Sequence, residues 1–126
     1  MRYLLSILLI WSVPSNAALV DHEKEKAAQD LCETEWKITD RASGTNENTT
    51  NIVSDEVASF KAKGYAFSDF SIDETDFIKV SIEGADGSRK MIKEMDTPYS
   101  EARDFLKNRM MPICIKNVLT GIDNKK

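Results

Sequence analysis

Cys32 and Cys114 are the only cysteines in the sequence, and a bond between them would tie a segment near the start of the chain to one near its end. Two cysteines allow a single intramolecular connectivity, and their spacing is far from the C-x-x-C pattern of redox motifs. Closing so long a loop stabilises a fold by roughly 4 kcal/mol through the unfolded chain, a large share of what a small domain has. The segments around the two cysteines must then lie side by side.

Pairing requires an oxidising compartment, and the N-terminus addresses that. Arg2, the apolar run Tyr3 to Val13 and then Pro14-Ser15-Asn16-Ala17 read as a signal peptide, residues 1–17, cleaved after Ala17. The run holds eleven residues, whereas a membrane-spanning helix needs about 20. The expected product is a secreted or periplasmic protein with no stable membrane insertion, in which disulfides persist. Cleavage leaves residues 18–126, 109 residues and room for one domain. The whole chain has 17 basic and 21 acidic side chains, a net charge of -4; removing Arg2 alone gives -5. Such a surface is poorly suited to phosphate backbones or anionic lipid, so no nucleic acid is expected as a partner.

Local patterns predict an α+β domain. Val20, Ala27, Leu31 and Ile38 form a helical stripe with Cys32 at its edge, interrupted by Lys24 and Glu35. Residues 41–51 read as a polar loop, and within it Asn48-Thr49-Thr50 is an N-glycosylation sequon that makes Asn48 a candidate attachment site. A shorter helix follows, capped by Asn51, with Val53, Val57 and Phe60 on one face and Gly64 at its end. Within residues 76–95, Ile78, Val80 and Ile82 alternate with Lys79, Ser81 and Glu83 before the turn residues Asp86-Gly87, which predicts an antiparallel hairpin that pairs Glu83 with Lys90 and Lys79 with Glu94. Residues 65–72 supply a third strand. Thr97-Pro98 starts a last helix with Ala102, Phe105, Leu106, Met110 and Ile113 on its inner face, Pro112 as a kink or break and Gly121 as its end. The cysteines then bolt the N- and C-terminal helices together on one face of the small sheet.

Recognisable chemistry is scarce. The single histidine, His22, sits among charged residues, so serine and cysteine triads have little to draw on. Asp69, Asp73, Glu74 and Asp76 fail the spacing of a calcium loop: starting at Asp73, position six is Ile78 and position twelve is Gly84. The glycines are scattered singly, with no phosphate-binding loop. Neither catalytic residues, a cofactor nor a metal site is expected. The expected function is non-catalytic binding of another protein, in an inhibitor, immunity-type or adaptor role, through the acidic surface or the hairpin's free edge. The alternative is a carrier of a small apolar ligand held between helices and sheet by Phe60, Phe67, Met91, Met95 and Phe105.

Overall fold

The computed structural model of the chain describes residues 21–123, so the expected signal segment, residues 1–17, lies outside the described residues. Among them every regular element is helical: α1 (Asp21–Gly44), α2 (Thr49–Ala62), a 3-10 turn (Phe67–Phe70), α3 (Glu74–Glu94) and α4 (Tyr99–Asp123). The α+β expectation is overturned. Residues 76–95, read as a hairpin, belong almost entirely to α3, and residues 65–72, read as a third strand, contain the 3-10 turn.

The reason lies in the length of the pattern. Ile78, Val80 and Ile82 alternate, but over the full segment Phe77, Ile78, Ile82, Ala85, Arg89 and Ile92 recur three and four residues apart and turn inward, while Val80 stands 64% exposed. Asp73 caps the helix by accepting the Asp76 amide at 2.9 Å, with Glu74 and Asp76 in the first turn and Lys93 in the last, where the helix dipole favours each charge. The charges that argued for a strand register are as compatible with a helix, where Lys79 precedes Glu83 and Lys90 precedes Glu94 by four residues. Asp86, expected in a turn, sits mid-helix and accepts a hydrogen bond from the Thr49 hydroxyl at 2.7 Å. Arg89 fastens the same face, donating to the carbonyls of Ala42 at 2.8 Å and Glu47 at 2.7 Å, and so serves the free C-terminal end of α1.

The polar loop is shorter than expected because its ends are capped. α1 continues to Gly44, and α2 is capped by Asn48, whose side-chain oxygen accepts the Asn51 amide at 3.1 Å, rather than by Asn51 itself. Arg41 closes the corner with hydrogen bonds to Glu47 (2.6 Å) and Glu56 (2.9 Å). α2 ends as predicted beside Gly64, which lies two residues beyond Ala62 and takes the left-handed conformation at φ 99°. The aromatics beyond it gather around Phe60, with ring centroids at 4.9 Å for Tyr65, 5.2 Å for Phe67 and 5.7 Å for Phe70. A tight turn delivers three rings to one spot, which a strand cannot do.

α1 is the centre of the bundle and packs against all three other helices. It therefore buries two stripes. Ala27, Leu31, Ile38 and Ala42 join the core of α2, α3 and the aromatic turn, while Cys32 and Trp36, in line with Ala28, meet α4. α4 runs antiparallel to α1, as the contacts of Tyr99 with Asp40 and of Asp123 with Lys24 require. It passes through Pro112 and Gly121 without ending at either; Pro112 lies on its exposed side. Phe105 and Ile113, expected on the inner face, are 62% and 59% exposed. The inner face is instead set by Tyr99, Arg103, Lys107 and Cys114, and only Ile122 of α4 is fully buried.

Candidate functional site: the cleft at the Cys32–Cys114 disulfide

Cys32 and Cys114 are joined, with S–S 2.10 Å and Cα–Cα 5.9 Å, and no free cysteine remains among the described residues. The two cysteines differ in their surroundings. Cys32 is wholly buried, whereas Cys114 lines a cleft of about 330 Å³ between α1, α4 and the aromatic turn, together with Glu35, Ser71, Asn117 and Gly121.

Three features of this cleft need a physical account. Ser71, at the end of the 3-10 turn, holds the left-handed conformation at φ 60°, the one non-glycine residue with positive φ among those described. That backbone is costly for a residue with a side chain, and here it aims the Ser71 hydroxyl at the Gly121 carbonyl, to which it donates at 3.1 Å. The second feature is Gly121 itself. A Cβ there would meet the Phe70 carbonyl oxygen at 3.0 Å, so a glycine lets α4 approach the turn closely.

The third feature is Glu35, half-buried on α1 with Oε2 only 2.9 Å from Cys114 Sγ. A disulfide sulfur has no proton to give, so this contact is a hydrogen bond only when the carboxyl O–H donates to sulfur. Burial raises the Glu35 pKa above the usual carboxyl value, which favours that protonated form. Glu35, Cys32 and Cys114 also lie close enough to ligate one ion, their ligand atoms all within 4.8 Å of one another. The disulfide consumes both thiolates, so the oxidised cluster does not fit a metal.

A polar cluster next along the α1–α4 seam orients α4. Arg103 binds Asp40 through two nitrogens at 2.8 and 2.9 Å, Tyr99 donates to the same carboxylate at 2.8 Å, and the guanidinium lies 5.7 Å from the Trp36 ring centroid. The Arg103 hydrogen bond holds the Asp40 pKa below the usual carboxyl range against the opposing effect of burial, with help from the Tyr99 hydrogen bond and the charge of Arg103. This arrangement is a fastening between α1 and α4.

The remaining sequence candidates disperse. Asn48 is exposed, with its oxygen engaged in the cap of α2. Phe60 and Phe67 are core residues, while Met91, Met95 and Phe105 are exposed, so the five residues proposed to line a ligand site do not share one. The acidic run serves local structure: Asp69 accepts the Ala66 amide, Asp73 caps α3, and Glu74 pairs with Lys61 at 3.1 Å. In the sequence Glu35 stands only as an interruption of the α1 stripe. Its signal was there, an acid three residues after a cysteine in the middle of an apolar stripe. No helix of the described residues is long and apolar enough to cross a membrane. Comparison with protein families, with curated proteins and with solved structures finds no match for this chain.

Proposed function

We propose that the protein works in a secreted or periplasmic setting by binding another protein, and that the outer face of α4 is what it presents. The observation that carries this reading is the exposure of Phe105 and Ile113, eight residues apart on one helical stripe, with Arg109 between them. The Arg109 guanidinium lies 5.6 Å from the Phe105 ring centroid. A large aromatic, an arginine and a branched aliphatic residue at i, i+4 and i+8 are the anchors with which a helix fills an apolar groove. Arg109 and Lys116 on this face, in a chain of net charge -4, suit a groove with an acidic rim. Addition of a partner's strand, expected from the hairpin, has no sheet edge to use among the described residues.

The test is capture of partners from the secreted proteins of the source by immobilised protein, run beside Phe105→Ala and Ile113→Ala. Losing one such anchor costs on the order of 2 kcal/mol, about 30-fold in affinity. A stoichiometric partner held by the parent chain and lost by both variants, with circular dichroism unchanged, supports the reading. A partner held equally by all three removes α4 from the interface.

A further inference from the structure

We propose that the Cys32–Cys114 bond is a site of thiol–disulfide exchange in the folded protein, attacked at Cys114 through the cleft, with Glu35 delivering a proton to the leaving sulfur. Three observations converge on it. Cys114 opens on a cleft of about 330 Å³, large enough for the end of a small thiol, while Cys32 is wholly buried and offers no approach. A carboxyl oxygen touches Cys114 Sγ at 2.9 Å and lies within 4.8 Å of the Cys32 sulfur. No ion pair reaches that carboxyl among the described residues; those sharing the cleft with it from α4 and the turn, Cys114, Asn117, Gly121, Phe70 and Ser71, carry no charge.

The chemistry follows from these positions. An external thiolate enters the cleft and its sulfur bonds to Cys114 Sγ; the bond to Cys32 breaks and its electron pair stays on Cys32 Sγ. A thiolate left in that buried place is costly, and Glu35 supplies the proton that neutralises it, becoming a carboxylate that recovers a proton from water through the cleft. A second thiolate then attacks the external sulfur of the mixed disulfide and releases Cys114 as a thiolate, which takes up a proton from solvent. The external thiols are oxidised to their disulfide, and the protein's cystine is reduced to two thiols. Burial raises the Glu35 pKa, which keeps more of the donor protonated toward neutral pH. Exchange of this kind would connect α4, fastened to α1 by this bond, to the thiol status of its surroundings.

The experiment treats the oxidised, folded protein with glutathione from pH 5.5 to 8.5, quenches with acid, and locates the mixed disulfide by mass spectrometry. Rates are divided by the glutathione thiolate concentration, so that ionisation of the attacking thiol drops out. The expected result is a mixed disulfide on Cys114 that rises in proportion to glutathione, with a normalised rate that falls as pH rises. Glu35→Gln should lower that rate at least tenfold at pH 6 and flatten its pH profile. Attachment at Cys32, a rate that saturates at the global unfolding rate, or an unchanged rate in Glu35→Gln would each overturn the proposal. The first two are read on the unmodified chain and do not depend on a variant folding.

Discussion

Replacing Gly84 and Gly87 together by alanine should stabilise the protein. Both residues lie inside α3 with nothing within 4 Å of the position a Cβ would take, and neither has a positive φ. A glycine inside a helix costs about 0.8–1 kcal/mol relative to alanine, mostly through the entropy of the unfolded chain. With no clash to offset the gain, the double variant should gain about 1.5–2 kcal/mol, because the backbone-entropy gain belongs to each residue separately. For a domain of this size that is roughly a 10 °C rise in Tm, accompanied by a higher urea midpoint at unchanged m-value. The opposite result is informative. In a hairpin with an Asp86-Gly87 turn, Gly87 holds a positive φ that alanine resists, and the substitution would destabilise by about 1 kcal/mol or more. A lowered urea midpoint in Gly87→Ala would refute the helical placement of residues 76–94.

Other outcomes follow from the same geometry. Replacing both Cys32 and Cys114 by serine opens a loop with a sequence separation of 82, for which loop entropy gives a loss of about 4.5 kcal/mol, measurable by urea unfolding. Gly121→Ala forces a Cβ against the Phe70 carbonyl and should cost about 1–3 kcal/mol, with the Tm lowered accordingly. Because burial raises the Glu35 pKa in the folded state, the ionised carboxyl is destabilising at pH 7; Glu35→Gln should be the more stable there, with its advantage shrinking as pH falls toward the ordinary carboxyl value. Asp40 has the opposite sign. Its pKa is depressed in the folded state, so its contribution is present above about pH 4 and is lost as pH falls through the folded value, and Asp40→Asn should remove that part of the acid sensitivity of the urea midpoint.

What the sequence made legible was the part that local physics decides. The Cys32–Cys114 pairing followed from there being one connectivity, and the first and last helices from stripes and caps. The hairpin failed because five residues of alternation, 78–82, ahead of Asp86-Gly87 outweighed a helical period that runs from Phe77 to Ile92, with Asp73 as a good cap before it. α1 was half read. A helix at the centre of a bundle buries two stripes, so Trp36, on the second, carried no weight in a search for one. The inner face of α4 was partly misplaced for a related reason: Ala102, Leu106 and Met110 are half-buried, but the face is held by Tyr99, Arg103 and the disulfide, with Phe105 and Ile113 left outside. The cleft was illegible in sequence because Glu35, Ser71 and Gly121 come from three elements, and only the tertiary approach of α4 to the aromatic turn assembles them.

Amide hydrogen exchange of the oxidised protein, compared with the same protein after reduction and thiol capping, bears most directly on a bundle whose fourth helix is fastened to a core of three. α4 has one fully buried residue, Ile122, whereas α1 and α2 hold most of the core. Reduction should therefore speed exchange across residues 102–123 by several orders of magnitude more than at the amides of Leu31, Ile52, Val53, Phe60 and Ala85. Loss of protection in all helices together, or none in α4, would contradict that division of the molecule.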